Sequence, residues 1–256
     1  MISSSLRILQ INLNRSLPAT ESALQLAIEL KIDIVLVQEP WVCTASSTTS
    51  SINISTKDYT SARSINHQSF AQILPKHHHL RPRTLAYILR SNTSILASLA
   101  ISSPIDPDIL VLDILEGQHK VQLVNIYNED SQIEGEQRTI DRWLYNYQLP
   151  LDAVVLGDFN THHPWWDPLN TTTSTNADQL VDWIEDNNLL LLNTPGEGTF
   201  YRPNLRQPSV LDLTLVTTSI ESQINDWQIL PDLGSDHYGI LFTITGTGIE
   251  LVEAST

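Results

Sequence analysis

Cysteine, basic side chains and long apolar runs are scarce in this 256-residue chain, and each scarcity removes a class of protein. Cys43 is the only cysteine, so no disulfide can form within the chain, which fits a reducing intracellular compartment. No apolar stretch approaches the roughly 20 residues that a membrane-spanning helix needs. The opening residues Met1 to Arg7 lack the basic start, apolar stretch and small-residue cleavage site of a secretory leader. Internal repeats, heptads and low-complexity tails are missing as well. Glycosylation triplets at Asn53, Asn92 and Asn170 would matter only in a secreted protein. With 41% hydrophobic residues, the composition is that of an ordinary globular chain. Its length fits one large domain over residues 1–256.

Positive charge is the other shortage. Fourteen Lys and Arg stand against 29 Asp and Glu, a formal net charge of -15, which on its face disfavours a polyanionic partner. Exposed charges are screened beyond about 8 Å at physiological salt, so a local basic strip still suffices to hold a phosphate backbone. Lys76, Arg81, Arg83 and Arg90 fall close together with three histidines, Arg202 and Arg206 share one loop, and acidic residues crowd into Asp106 to Asp141.

Periodicity predicts an α/β fold. "LRILQIN" (Leu6 to Asn12) reads as a strand, Ala19 to Lys31 as a helix capped by Thr20, and Ile34 to Val37 as a buried strand. Thr44 to Ser69 is Ser-, Thr- and Asn-rich and reads as loops with one weak strand. Further strands are expected at Thr84 to Leu89, Ile95 to Ile101, Ile109 to Leu115 and Val121 to Tyr127, the last two joined as a hairpin through Glu116-Gly117-Gln118. The spacing then gives a helix over Ile133 to Tyr147, a strand at Ala153 to Leu156 and a helix from Asn176. Strands follow at Leu189 to Leu192, Thr199 to Tyr201, Val210 to Val216, Trp227 to Leu230 and Tyr238 to Thr245. Hairpins mixed with crossover helices imply two mixed β-sheets packed face to face with helices outside.

Polar residues sit at the ends of several apolar strands: Asn12, Glu39, Asn125 and Tyr127, and Asp158 with Asn160, while Asp236 and His237 precede the final strand. Strand ends are where a rigid scaffold meets ligand. Taken singly, an Asp or Asn there is an ordinary turn residue; the ordered set points to phosphoester hydrolysis. Oxygen donors suit Mg²⁺, which keeps several waters and needs only one or two carboxylates, a need met by Glu39 with Asn12 or Asp236. His237 is a candidate general acid or base or phosphoryl hydrogen-bond donor. Asp212, a carboxylate inside the apolar strand "VLDLTLV", is the candidate to hold its ring, since a lone buried carboxylate is costly. The pair His162-His163 invites a zinc reading, but the set supplies no further imidazole or thiolate for it.

These residues resemble the endonuclease/exonuclease/phosphatase superfamily, whose members share the deoxyribonuclease I fold. The resemblance runs in order through "QINLN", "VLVQEPW", "VNIYN", "VVLGDFNTHHPWW", "GTFYRP", "SVLDLTLV" and "GSDHYGI", nearly the whole chain. Within it the sequence is most similar to endonuclease domains of non-LTR retrotransposon polyproteins, in the His-His-Pro-Trp segment after "GDFN", in Ser209 three residues before Asp212, and in Thr199 of "GTFY". The resemblance implies a four-layer α/β sandwich and Mg²⁺-dependent nicking of one strand of double-stranded DNA, with Mn²⁺ as a substitute. The nick leaves a 3′-hydroxyl that primes a reverse transcriptase in the nucleus. It assigns the metal to Glu39, with Asn12 and Asp236 nearby, and the water and phosphate to Asp158 and Asn160. Transition-state charge falls to Tyr127 and His237, with Asp212 orienting His237. Ser209, Thr199, Arg202 and Arg206 are expected at phosphate or DNA, the arginines lying in a loop that reaches a groove in relatives; Arg81 and Arg83 are expected as a basic strip. With no reverse transcriptase in the sequence, an excised or naturally short domain is expected. A phosphatase, an abasic-site endonuclease and a domesticated inactive nucleic-acid-binding module are the other readings. The intact set from Asn12 to His237 argues against the last.

Overall fold

The computed structural model describes residues 5–43, 61–77, 79–129, 137–170, 172–203, 206–230 and 232–246. Most of the weak-strand region from Thr44, the start of the helix expected from Ile133 and the triplet at Asn53 lie outside them. The chain begins β1 (Ser5–Asn12), α1 (Leu17–Glu29), β2 (Ile34–Gln38), β3 (Phe70–Ile73), β4 (Thr84–Leu89) and β5 (Ile95–Leu99). It continues β6 (Ile109–Glu116), β7 (His119–Tyr127), α2 (Thr139–Arg142), β8 (Ala153–Asp158), α3 (Ala177–Asp186) and β9 (Leu189–Leu191), and closes with β10 (Asp212–Thr217), β11 (Ile224–Ile229) and β12 (Ile240–Thr245). Two mixed six-stranded sheets result, in the orders β11-β12-β1-β2-β4-β3 and β5-β6-β7-β8-β10-β9.

Strand alternation builds the layers. On β1 and β2, Leu9, Ile11, Val35 and Val37 face outward and bury α1 through Ala19, Ala23, Leu24 and Ala27. Leu6, Ile8, Ile34 and Leu36 face the other way, against Leu110, Leu123, Val154 and Leu156 of the second sheet. The outer face of that sheet, Val111, Val124, Val155 and Leu213, packs on Leu180, Trp183 and Ile184 of α3. The expected two packed sheets with helices outside are what the structure contains. Among the described residues no helix is long and apolar enough to cross a membrane.

Following the inward-facing residues along each strand locates the site. On β1 they run Leu6, Ile8, Gln10, Asn12, and on β8 Val154, Leu156, Asp158, so the intersheet core turns polar at one end. A buried amide layer marks the change: Gln10 Nε2 donates to the carbonyls of Gly157 (3.2 Å) and Leu213 (3.3 Å), and Gln38 Nε2 to Asn125 Oδ1 (2.6 Å). Buried amides must find such partners. Gly157 lets β8 enter this layer, for at its φ of +139° an added Cβ would lie 1.9 Å from the Ile126 carbonyl oxygen.

Several elements depart from expectation. Helix α1 is capped by Ser16, whose hydroxyl accepts from Ala19 N (3.2 Å), with Pro18 in the first turn; Thr20 lies inside the helix and bonds back to the Ser16 carbonyl. The helix expected up to Tyr147 shrinks to α2 and one tight turn at Leu144–Asn146, because Trp143 leaves helical geometry (φ -134°) and stacks on Tyr147 at 4.3 Å. Phe200 forms isolated bridges to Ser209 and His237 in place of a strand. The edge strand β3 gave no alternating signal, lying where a polar stretch ends.

Candidate active site

Register sets the centre. Asp158 ends β8 opposite Asp212, which begins β10, and also opposite Tyr127, which ends β7. Asp158 is buried and saturated with donors: Asn12 Nδ2 (2.9 Å) and Asn160 Nδ2 (3.1 Å) reach Oδ2, and Asn160 N (3.0 Å) reaches Oδ1. Asn160 does this from a left-handed turn (φ +44°), a conformation asparagine tolerates, and its amide also bonds the Asn128 carbonyl at 2.9 Å.

His237 closes the cluster. Its Nδ1 lies 2.8 Å from Asp212 Oδ2 and its Nε2 3.9 Å from Asp158 Oδ2, and the ring packs on Phe200. With Nδ1–H donated to Asp212, Nε2 is the atom left for a reacting group. Burial opposes a charged His237, but Asp212 and Asp158 outweigh it and carry the imidazole up to about 9. Burial pushes the Asp158 carboxyl far above the usual range; the His237 charge pulls it back while Asp212 adds to the rise. The two carboxylates thus favour the charged form of the ring, and the ring's charge in turn eases the burial of Asp158. Tyr127 is a buried phenol that burial, and then the charges of Glu39 and Asp158, hold protonated, so it offers a proton donor.

Glu39 follows β2 at φ +44°, and among the described residues its carboxylate is partnered by the Arg15 guanidinium. Asn12 Oδ1 accepts from Asn14 N (2.8 Å). Asp236 accepts from Asn14 Nδ2 (3.0 Å) and Arg202 Nε (2.9 Å), which holds it at the rim. A hard divalent cation fits this donor set: Glu39, Asn12 and Asp236 offer oxygen only, and Glu39 carries a charge that a half-exposed arginine now balances. The ligand atoms of Asp158, Asp212 and His237 also lie within 4.8 Å of one another, with the His237–Asp212 hydrogen bond occupying one of those atoms.

The residues expected at DNA separate into two groups. Arg202 lies exposed over the Phe200 ring and Arg206 is exposed on the same segment. Arg81 reaches the Pro40 carbonyl beside Glu39 at the outer limit of a hydrogen bond, 3.5 Å. Arg83, by contrast, binds Asp108 and Glu129 and lies over the Tyr127 ring at 5.5 Å, so its charge is committed inside the protein. Thr199 is fully buried, its hydroxyl accepting from Leu211 N (3.1 Å) and Asp212 N (3.0 Å); it fixes the start of β10. Ser209 is buried in the bridge to Phe200. His162 and His163 bond Asn170 and Asp178, while Trp166 is core and Trp165 exposed.

Sequence reasoning passed over Arg15, Asn14, Ser235 and Asn128. Ser235 Oγ donates to the Asn12 carbonyl (2.7 Å), and Asn128 Nδ2 to the Phe159 carbonyl (2.7 Å). Asn14 and Arg15 stand two and three residues past an assigned strand end, the signal that could have marked them.

A family described as "Endonuclease-reverse transcriptase" matches residues 121–241, the stretch that carries Tyr127 through His237. No curated protein matches the chain in sequence. Solved structures do. The endonuclease domain of TRAS1, a telomere-specific non-LTR retrotransposon, is 22% identical at a TM-score of 0.70, covering 94% of this chain and 98% of that one. The AP endonuclease LMAP from Leishmania major is 13% identical (TM-score 0.64; 94% and 88% covered). The 3′-5′ exonuclease NExo from Neisseria meningitidis is 15% identical (TM-score 0.62; 93% and 98% covered). The chain has the deoxyribonuclease I-like architecture of these structures, and the family match covers the half of it that carries most of the site. Within that class it resembles the endonuclease domain of a non-LTR retrotransposon.

Proposed function

We propose that this chain, acting as one unit over residues 1–256, is a Mg²⁺-dependent DNA endonuclease. In this reading it nicks one strand of double-stranded DNA by phosphodiester hydrolysis and leaves a 3′-hydroxyl for target-primed reverse transcription in the nucleus. A reverse transcriptase of the same polyprotein is its functional partner. The observation that carries this reading is the buried line Asp212–His237–Asp158, in which Nδ1 of His237 is engaged by Asp212 and Nε2 lies toward Asp158 at the oxygen-rich end of the intersheet core.

Each side chain then has a task its environment supports. Asp158, held by Asn12 and Asn160, orients the attacking water in line with the phosphorus. His237 Nε2 and the Tyr127 hydroxyl donate to phosphoryl oxygens as charge builds there. Asp212 fixes the ring, and Thr199 fixes Asp212. Glu39, with Asn12 and Asp236, would hold Mg²⁺ or Mn²⁺, which supplies Lewis-acid charge neutralisation when bound. Arg81, Arg202 and Arg206 contact the DNA backbone.

Conversion of supercoiled plasmid to nicked circles in Mg²⁺ tests the reading. His237→Ala and Asp158→Ala are expected to lower the nicking rate by about 10²- to 10⁴-fold, the usual contribution of a positioned proton-transfer group. Equal nicking by wild type and variants, or hydrolysis of a small phosphomonoester without nicking, overturns it. Preference for an abasic duplex over an intact one would move the reading to a repair-type enzyme.

A further inference from the structure

Arg15 has no task in the scheme above, yet the backbone goes to some length to hold it. Beyond the paired strands, Leu13 N donates to the Gln38 carbonyl (2.9 Å) and Arg15 N to the Glu39 carbonyl (2.8 Å), so the two strand ends stay linked. Keeping them linked puts three non-glycine residues in left-handed conformations, Asn14 (φ +44°), Arg15 (+57°) and Glu39 (+44°). Asparagine tolerates this, but for Arg15 and Glu39 it costs of order 1–2 kcal/mol each, which an ordinary surface turn would avoid with glycine. The result places the guanidinium on the Glu39 carboxylate, with the Arg15 side chain 47% exposed and that of Glu39 12% exposed. One guanidinium nitrogen meets Glu39, so most of the five N–H donors of an arginine remain for another acceptor. Gln38, next to Glu39, bonds Asn125 two residues before Tyr127 (2.6 Å), so the pair stands at the same end of the intersheet core as the group expected to face the phosphate.

Two cations therefore have claims on one carboxylate. A half-exposed ion pair is worth only about 0–1 kcal/mol, so a divalent ion can displace the arginine with little loss. A guanidinium freed at this end of the core is available to a phosphodiester there, the anion its planar fork binds best. We propose that Arg15 is a partner-exchanging residue: it neutralises Glu39 until a divalent cation takes that carboxylate, and then binds the phosphate backbone of the substrate. The proposal rests on the reading of Glu39 as the cation's carboxylate.

Calorimetric titration with Mn²⁺ alone, without DNA, tests the first half on Arg15→Leu, Arg15→Lys and Glu39→Gln, each checked for an unchanged circular dichroism spectrum. Arg15→Leu should bind Mn²⁺ about two- to fivefold more tightly than wild type, the factor that loss of a competing surface pair allows. Arg15→Lys should stay near wild type. Unchanged or weaker Mn²⁺ binding by Arg15→Leu overturns the proposal while leaving the cation at Glu39. Wild-type binding by Glu39→Gln removes the cation from Glu39 and overturns the reading beneath. For the second half, anisotropy with a short fluorescent duplex in Ca²⁺ should show the salt slope of Arg15→Leu flattened by about 0.9, one lost phosphate contact. A slope equal to wild type excludes Arg15 from the phosphate.

Discussion

Thr199 is the residue whose meaning the structure changed most. Sequence resemblance put it at the phosphate, whereas its buried hydroxyl accepts from the backbone of Leu211 and Asp212. Thr199→Val should strand these donors and lower stability by roughly 1–3 kcal/mol, read as a shift of the urea midpoint. A variant of native stability that binds DNA more weakly would return Thr199 to the phosphate. Tyr87, far from the site, gives the clearest pH signature. Burial pushes its phenol up to about 12, with Ser64 pulling the other way. The folded value exceeds the ordinary one of about 10, so the contribution to stability is complete below pH 10 and is lost as pH rises through 12. Thermal unfolding of Tyr87→Phe should fall less steeply than wild type across that window. Parallel curves would show that Tyr87 is not the group responsible.

At the level of elements, strands were legible where side chains alternate between two apolar layers, as on β1, β4, β7 and β8, since a period of two is set locally. Helix α1 was displaced at its start because Ser16 and Thr20 are both acceptable caps and Pro18 decides between them. The segment around Trp143 reads as helix by spacing alone, but stacking on Tyr147 and packing into the outer core prevail. Gly157 is an element-scale constraint of the same kind: nothing in "VLGD" states that the neighbouring strand leaves no room for a methyl group. Gly157→Ala is expected to cost about 1–3 kcal/mol or more through overpacking and, by displacing the turn into Asp158, to lower nicking as well. An unchanged urea midpoint would mean that β7 and β8 can separate freely.

For the molecule as a whole, the net charge of -15 and the proposed DNA substrate are compatible because the basic groups are sorted by structure rather than by sequence. Arg81 and Arg83 are two residues apart and indistinguishable in the chain. In the fold Arg81 borders Pro40 at the mouth, while Arg83 spans the two sheets to reach Asp108, a fully buried carboxylate that Arg142 also grips. Arg81→Met should flatten the salt dependence of duplex binding by about 0.9. Arg83→Met should leave that slope alone and destabilise the fold by about 3–5 kcal/mol, the usual result of breaking a buried ion pair. Equal slopes in both variants, or a reduced slope in the second, would overturn this division. What the sequence determined by itself is most of the strands, their two apolar faces and the polar residues that interrupt them near Asn12, Glu39, Tyr127, Asp158 and His237, because alternation and strand ends are local. Which of those residues meet was decided only by tertiary structure. The Asp212–Asp158 register, the His237 bridge between them and the choice of Arg81 over Arg83 as the cation at the mouth all depend on chain segments brought together by sheet pairing and packing, and such meetings leave no trace in the order of the chain.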